Sequence, residues 1–158
     1  ANDEVFNLWR GFGVNPEKGD CSLLLEHIKN NICSGVEEHY EYLLNWLADA
    51  VQNPDKLPGV AVVLKGGQGT GKGLFATEFG ALYGKHFKHI QSYDRLIGRF
   101  NGHLADAAVI FCDEILWGGN RKDAGPLKTL ITEKWRTSEF KGKVWIGLFI
   151  ISEGELSP

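Results

Sequence analysis

Methionine is absent from the 158-residue sequence, even at position 1. The chain is therefore expected to be trimmed, or cut from something longer. No apolar run approaches the ~18 residues that a membrane-spanning helix needs. No charged-then-apolar leader opens the sequence. A membrane partner is thus not expected. Cysteine is scarce, and Cys21, Cys33 and Cys112 show neither CxxC spacing nor an even count. That argues against a disulfide framework and for a reducing, cytoplasmic setting (the host cytoplasm, if the gene is a phage's). Cys112 lies inside an apolar run and reads as a small core residue. The five histidines are scattered without metal-ligand spacing. His103, in "FNGHLADAAV", reads as a surface or core-edge residue rather than part of a site. No internal repeat or low-complexity tract is visible.

What remains is ordinary for one soluble globular domain: 43% apolar and 23% charged residues, in a chain long enough to bury a core. The net charge of −3 argues weakly against a polyanion partner. Its distribution says more. Residues 1–60 hold ten acids and four bases, whereas residues 61–158 hold ten acids and thirteen bases. Within residues 121–143, seven bases face three acids. A polyanion responds to that local patch rather than to the total.

Residues 1–19 read as irregular, broken by Gly11, Gly13 and Pro16. Asp20 or Ser22 caps an expected helix to about Cys33, with Leu24, Leu25, Ile28 and Ile32 on one side. "SGVE" (Ser34 to Glu37) reads as a capping box. It opens a second helix whose Val36, Tyr40, Leu43, Leu44, Leu47 and Val51 recur at helical spacing, a stripe taken as core. "NPDKLPG" (53–59) is a turn-rich linker. Strands are then expected at 60–64, 86–90, 107–112 and 144–152, with helices at 74–84, 93–100 and 125–133. Apolar strands without alternation, separated by helices, predict an α/β fold: a parallel sheet covered on both faces. The expected division is an N-terminal helical segment and linker (1–59), followed by the α/β core (60–158).

Glycine is abundant in one place. "AVVLKGGQGTGKGLFATEF" (61–79) carries five glycines within residues 66–73. Gly66, Gly67, Gln68, Gly69, Thr70, Gly71 and Lys72 fit G-x-x-x-x-G-K, the phosphate-binding loop. Successive amides must curl around a phosphate, which demands backbone conformations open to glycine without strain. The following helix aims its positive N-terminal end at the same anion, and Lys72 reaches for the β- and γ-phosphates. The alternative is a glycine-rich turn with no ligand. The required strand before and helix after are both read independently. A second feature supports the loop. "VIFCDE" (109–114) is an apolar strand ending in Asp113 and Glu114. Asp113 is the natural partner of a phosphate-bound Mg²⁺. Glu114 is the candidate to orient and deprotonate an attacking water. Solvated acids at an ordinary strand end are the plain alternative. Gly73 stands where most such loops carry a Ser or Thr that gives its hydroxyl to Mg²⁺. ATP binding with a shifted Mg²⁺ dependence is therefore expected.

Several stretches together carry a resemblance: "GDCSLLLEHIKNNICSG", "HYEYLLNWLADAVQNP", "PGVAVVLKGGQGTGKGLF", "GRFNGHL", "AVIFCDE" and "LKTLITEKWRTSEFKGK". Over roughly residues 19–143 the chain resembles the helicase part of phage, plasmid and virus primase–helicases. These are superfamily 3 helicases within the AAA+ P-loop ATPases. A glycine after the loop lysine looks normal in that group. The resemblance implies a P-loop NTPase fold and a motor, assembled as a homo-oligomeric (hexameric) ring. Such a motor hydrolyses ATP with Mg²⁺ and moves on single-stranded or forked DNA during replication. Carried over, Lys72 is the loop lysine, and Asp113 and Glu114 are the paired acids. "EKWRTSEFKGK" opens the DNA-contacting region, with Lys134, Arg136, Lys141 and Lys143 facing the phosphate backbone. A solvated surface loop is the alternative for that run. Two departures stand out. The family's polar sensor, usually Asn after Ser, is replaced here by Glu153 after Ser152. The sequence also stops at Pro158, before the expected arginine finger, whose contribution elsewhere is ~10³–10⁵ in rate. Weak ATP hydrolysis by the isolated chain is expected from these two departures.

Two rivals remain. A nucleoside monophosphate kinase shares a glycine after the loop lysine. Its loop, however, lies near the N-terminus, and it needs more arginines than the Arg95, Arg99, Arg121 and Arg136 that follow here. A nucleotide-binding or oligomerisation module that has lost catalysis is the other.

Overall fold

The computed structural model describes residues 7–56, 58–97, 102–113, 125, 128, 129, 131, 132 and 147–152. Helix α1 (Ser22–His27) runs directly into a π-type turn, Ile28–Ile32. Asp20 starts it, accepting from the Ser22 amide at 2.9 Å and from the Ser22 hydroxyl at 3.0 Å. Only Ile28 of this segment is deeply buried; Leu24, expected on the packed side, is exposed.

The expected capping box does not form. Helix α2 (Glu37–Gln52) has Val36 at its N-cap and no side-chain cap. Ser34 instead sits at φ +53, the left-handed conformation that closes a preceding helix. The Gly35 amide there donates back to the Lys29 carbonyl at 2.8 Å. Local hydrogen bonding at the end of one helix has won over capping at the start of the next. Helix α2 buries Leu43, Trp46, Leu47 and Ala50. The packed face is thus turned from the predicted stripe, whose ends Val36 and Val51 are exposed.

Among the described residues four short strands follow: β1 (Val62–Lys65), β2 (Phe87–Ile90), β3 (Val109–Cys112) and β4 (Gly147–Ser152). Helix α3 (Lys72–Ala81) links β1 towards β2, and α4 (Tyr93–Ile97) lies between β2 and β3. Residues 125, 128, 129, 131 and 132 are helical, within the helix expected at 125–133. The strands form one parallel sheet in the order β1-β4-β3-β2. The parallel sheet with helices agrees with the predicted α/β class.

Strand β3 is buried along its whole length, and its residues divide between the two faces as the pleat requires. Val109 and Phe111 join one cluster with Val62 and Leu64 of β1, Phe75, Ala76 and Phe79 of α3, and the buried face of α2. Ile110 and Cys112 join a second cluster with Ile90, Leu96 and Leu104, against which Ile131 packs. Two covered faces explain why β3 reads as continuous apolar sequence. Strand β1 departs from this: Val62 and Leu64 are buried, but Val63 and Lys65 are exposed.

The segment before α1 is irregular, as expected, yet it is tied to the sheet domain. Trp9 stacks on His86 at 4.6 Å between ring centroids and meets Phe12 edge-on. The Gly13 amide donates to the Leu82 carbonyl at 2.7 Å. A Cβ on Gly13 would lie 2.6 Å from the Gly84 backbone, so only glycine allows this approach.

Candidate functional site

The glycine loop leaves the C-terminal end of β1 and delivers the chain into α3. Gly69 and Gly71 take φ near +80, and Gly71 is the N-cap of α3. These left-handed conformations let the chain turn tightly into α3, which a residue with a Cβ resists. Lys72, the first residue of α3, folds back across the loop. Its ammonium donates to the Gly66 carbonyl at 3.0 Å, the Gly67 carbonyl at 2.6 Å and the Thr70 hydroxyl at 3.0 Å. The Thr70 hydroxyl in turn donates to the Gly67 carbonyl at 3.1 Å. Lys72 is 7% exposed, a buried cation held by oxygens of the loop itself. Gly73 has open space where a side chain would go, so no steric demand explains the missing hydroxyl.

The strand register places Asp113 relative to this loop. Cys112 is level with Ile150, and Ile150 with Val63. Asp113 follows Cys112, while the loop begins two residues past Leu64. Both therefore leave the C-terminal edge of the sheet, separated by β4, or roughly 10 Å of strand spacing. Alternation along β3 puts Asp113 on the side of Val109 and Phe111, which is the side packed by α3. Asp113 thus shares one edge and one face with the loop. Its amide donates to the Ile90 carbonyl at 3.1 Å. Its carboxylate lies 3.7 Å from His89 Nε2, and the His89 ring stacks on Phe111 at 4.6 Å.

Two residues, one beside Asp113 and one beside the loop, carried no signal in the sequence. His89 reaches Asp113 only through strand pairing of β2 with β3. His27, from α1, places Nε2 3.3 Å from the Gly71 carbonyl. Neither belongs to a motif, and each is brought close by tertiary contact alone. His103 is exposed, in a 3₁₀ turn. Cys112 is fully buried, which pushes its thiol up to about 12. Glu114, Lys134, Arg136, Lys141, Lys143 and Glu153 lie outside the described residues.

A family model, that of a family of unknown function, DUF5906, matches residues 64–145, from β1 through the loop and β3. No curated protein matches the chain. Among solved structures, the chain is similar to the A-form apo structure of the NrS-1 C-terminal region. The identity is 22% and the TM-score 0.69, over 97% of this chain and 37% of that one. A second apo structure of that region matches at 23% identity and TM-score 0.69, over 96% and 37%. The chain spans little more than a third of their length, and at this identity the likeness extends to the α/β fold. Among the described residues, no helix is long and apolar enough to cross a membrane.

Proposed function

We propose that this chain, which belongs to the DUF5906 family of unknown function, is the ATP-binding motor domain of a superfamily 3-type replicative DNA helicase with a P-loop NTPase core. One observation carries the reading: the Lys72 ammonium buried inside a curled glycine loop at the head of α3. Loop amides, helix end and lysine would each offer positive charge to a polyphosphate, whose oxygens would take the place of the Gly66 and Gly67 carbonyls and the Thr70 hydroxyl as acceptors for Lys72. Asp113, on the same edge and face, suits a phosphate-bound Mg²⁺, which would neutralise phosphate charge. Glu114 follows it in sequence and is the proposed base for water. Lys134, Arg136, Lys141 and Lys143 are the proposed contacts to single-stranded or forked DNA. A homo-oligomeric ring is the proposed working assembly.

Ligand-dependent thermal shift with MgATP tests the reading. Wild type is expected to be stabilised in proportion to ligand. Lys72→Ala is expected to bind about 10- to 100-fold more weakly, as loss of a charge-assisted contact predicts. Gly73→Ser meets no neighbour and is expected to lower the Mg²⁺ concentration needed for binding. A wild-type chain indifferent to ATP overturns the reading.

A binding module without catalysis is the second reading, and the β4 register favours it. Ser152 is level with Lys65, the residue before the loop, and Glu153 comes next in sequence. A carboxylate there would repel a γ-phosphate. If wild type and Glu114→Gln both bind ATP but turn it over equally poorly, this second reading holds.

A further inference from the structure

We infer that His27 is a positioning residue of the phosphate loop, and this rests on the nucleotide-binding reading above. A carbonyl oxygen only accepts, so at 3.3 Å it is the His27 Nε2–H that donates to Gly71. The Gly71 carbonyl also accepts the first bond of α3, from the Phe75 amide at 3.0 Å. Both lone-pair directions of this one oxygen are therefore used. The two bonds fix the plane of the Gly71–Lys72 peptide. In a trans peptide the amide N–H points opposite to the carbonyl. Holding the Gly71 oxygen along α3, towards the Phe75 amide, thus aims the Lys72 N–H the other way, as one of the donors at the head of α3.

Packing agrees with the hydrogen bond. A Cβ on Gly71 would lie 2.4 Å from His27 Cε1 and 2.7 Å from Nε2. The imidazole fills the volume that any side chain at position 71 would claim. Gly71 is thus favoured by its φ of +81, and any side chain there would have to displace the His27 ring. His27 ends α1, where the helix passes into its π-type turn. Helix α1 thus reaches the loop by this contact.

The test compares ATP with inorganic tripolyphosphate, which has no base or sugar, using the whole chain. His27→Ala is expected to weaken both about tenfold, equivalent to ~1.4 kcal/mol. His27→Gln keeps an amide donor and is expected to restore affinity to within about twofold of wild type. A merely structural role would not separate these two variants in tripolyphosphate affinity while their melting temperatures agree. A measurement on wild type stands beside them: the His27 imidazole resonances are expected to shift on adding tripolyphosphate, and those of His39 on α2 to stay. Undiminished tripolyphosphate binding by His27→Ala, or an unmoved His27 resonance in a chain that binds, overturns this inference alone. A wild-type chain that binds neither ligand overturns the nucleotide reading and this inference with it.

Discussion

His86 has both ring nitrogens committed although it is 1% exposed. Nδ1 lies 2.6 Å from the Asp106 carbonyl and must donate, while Nε2 accepts the Arg10 amide at 3.0 Å. The partners select the tautomer. Tyr83, its neighbour in the same aromatic group, is less well served. Its ring packs among Trp9, Phe12 and Phe79. Its hydroxyl is buried with no protein partner among the described residues, and burial pushes its ionisation upward. An unpaired buried hydroxyl costs about 1–3 kcal/mol. Tyr83→Phe removes it and keeps the ring, so denaturant unfolding should show equal or greater stability, by up to ~1 kcal/mol. A clear loss would show that the hydroxyl is paired after all.

Ser34 decides how the first two helices meet. Its left-handed backbone conformation is one that glycine adopts with less strain than serine. Ser34→Gly is therefore expected to hold or raise stability by up to ~1 kcal/mol. A capping serine replaced by glycine would lower it by a few tenths. Chemical denaturation distinguishes the two signs. Lys29 and Glu37 pair across the same junction at 2.7 Å, but both are well exposed and contribute little. In α2 the periodicity was legible and the phase was not. Trp46 and Ala50 take the buried face because α3 and β1 approach from that side, information that no local pattern contains.

The molecule as a whole is drawn together by contacts distant in sequence. The stretch before α1 docks on the turn after α3, through Gly13 and Gly84. Lys88 of β2 pairs with Asp106, ahead of β3, at 2.9 Å. Burial works to raise the Asp106 pKa, but the hydrogen bond and charge of Lys88 outweigh it and hold the carboxyl below its ordinary value. A lowered folded pKa gives stability that is present above the unfolded value and lost as pH falls through the folded one. Lys88→Met should therefore cost about 0.5–1 kcal/mol at neutral pH. The difference from wild type should close as pH falls through the lowered folded pKa of Asp106, where the carboxyl becomes protonated in both. Unfolding midpoints across that range check this. A difference that persists in acid would trace the loss to packing of the lysine stem.

Residues 66–73, the apolar runs at β1, β3 and β4, and the acid after Cys112 were legible in the chain alone. The turn of the loop and the full burial of β3 are written in adjacent residues: glycine where the backbone must turn, and unbroken apolar sequence where both faces of β3 are covered. Strand order, the shared face of Asp113 and the loop, the phase of α2, and the arrival of His27, His86 and His89 at their partners came from the folded chain. Each depends on which segments, tens of residues apart, bury their apolar area together. That is a property of the whole packing, which local hydrogen bonding and periodicity do not encode.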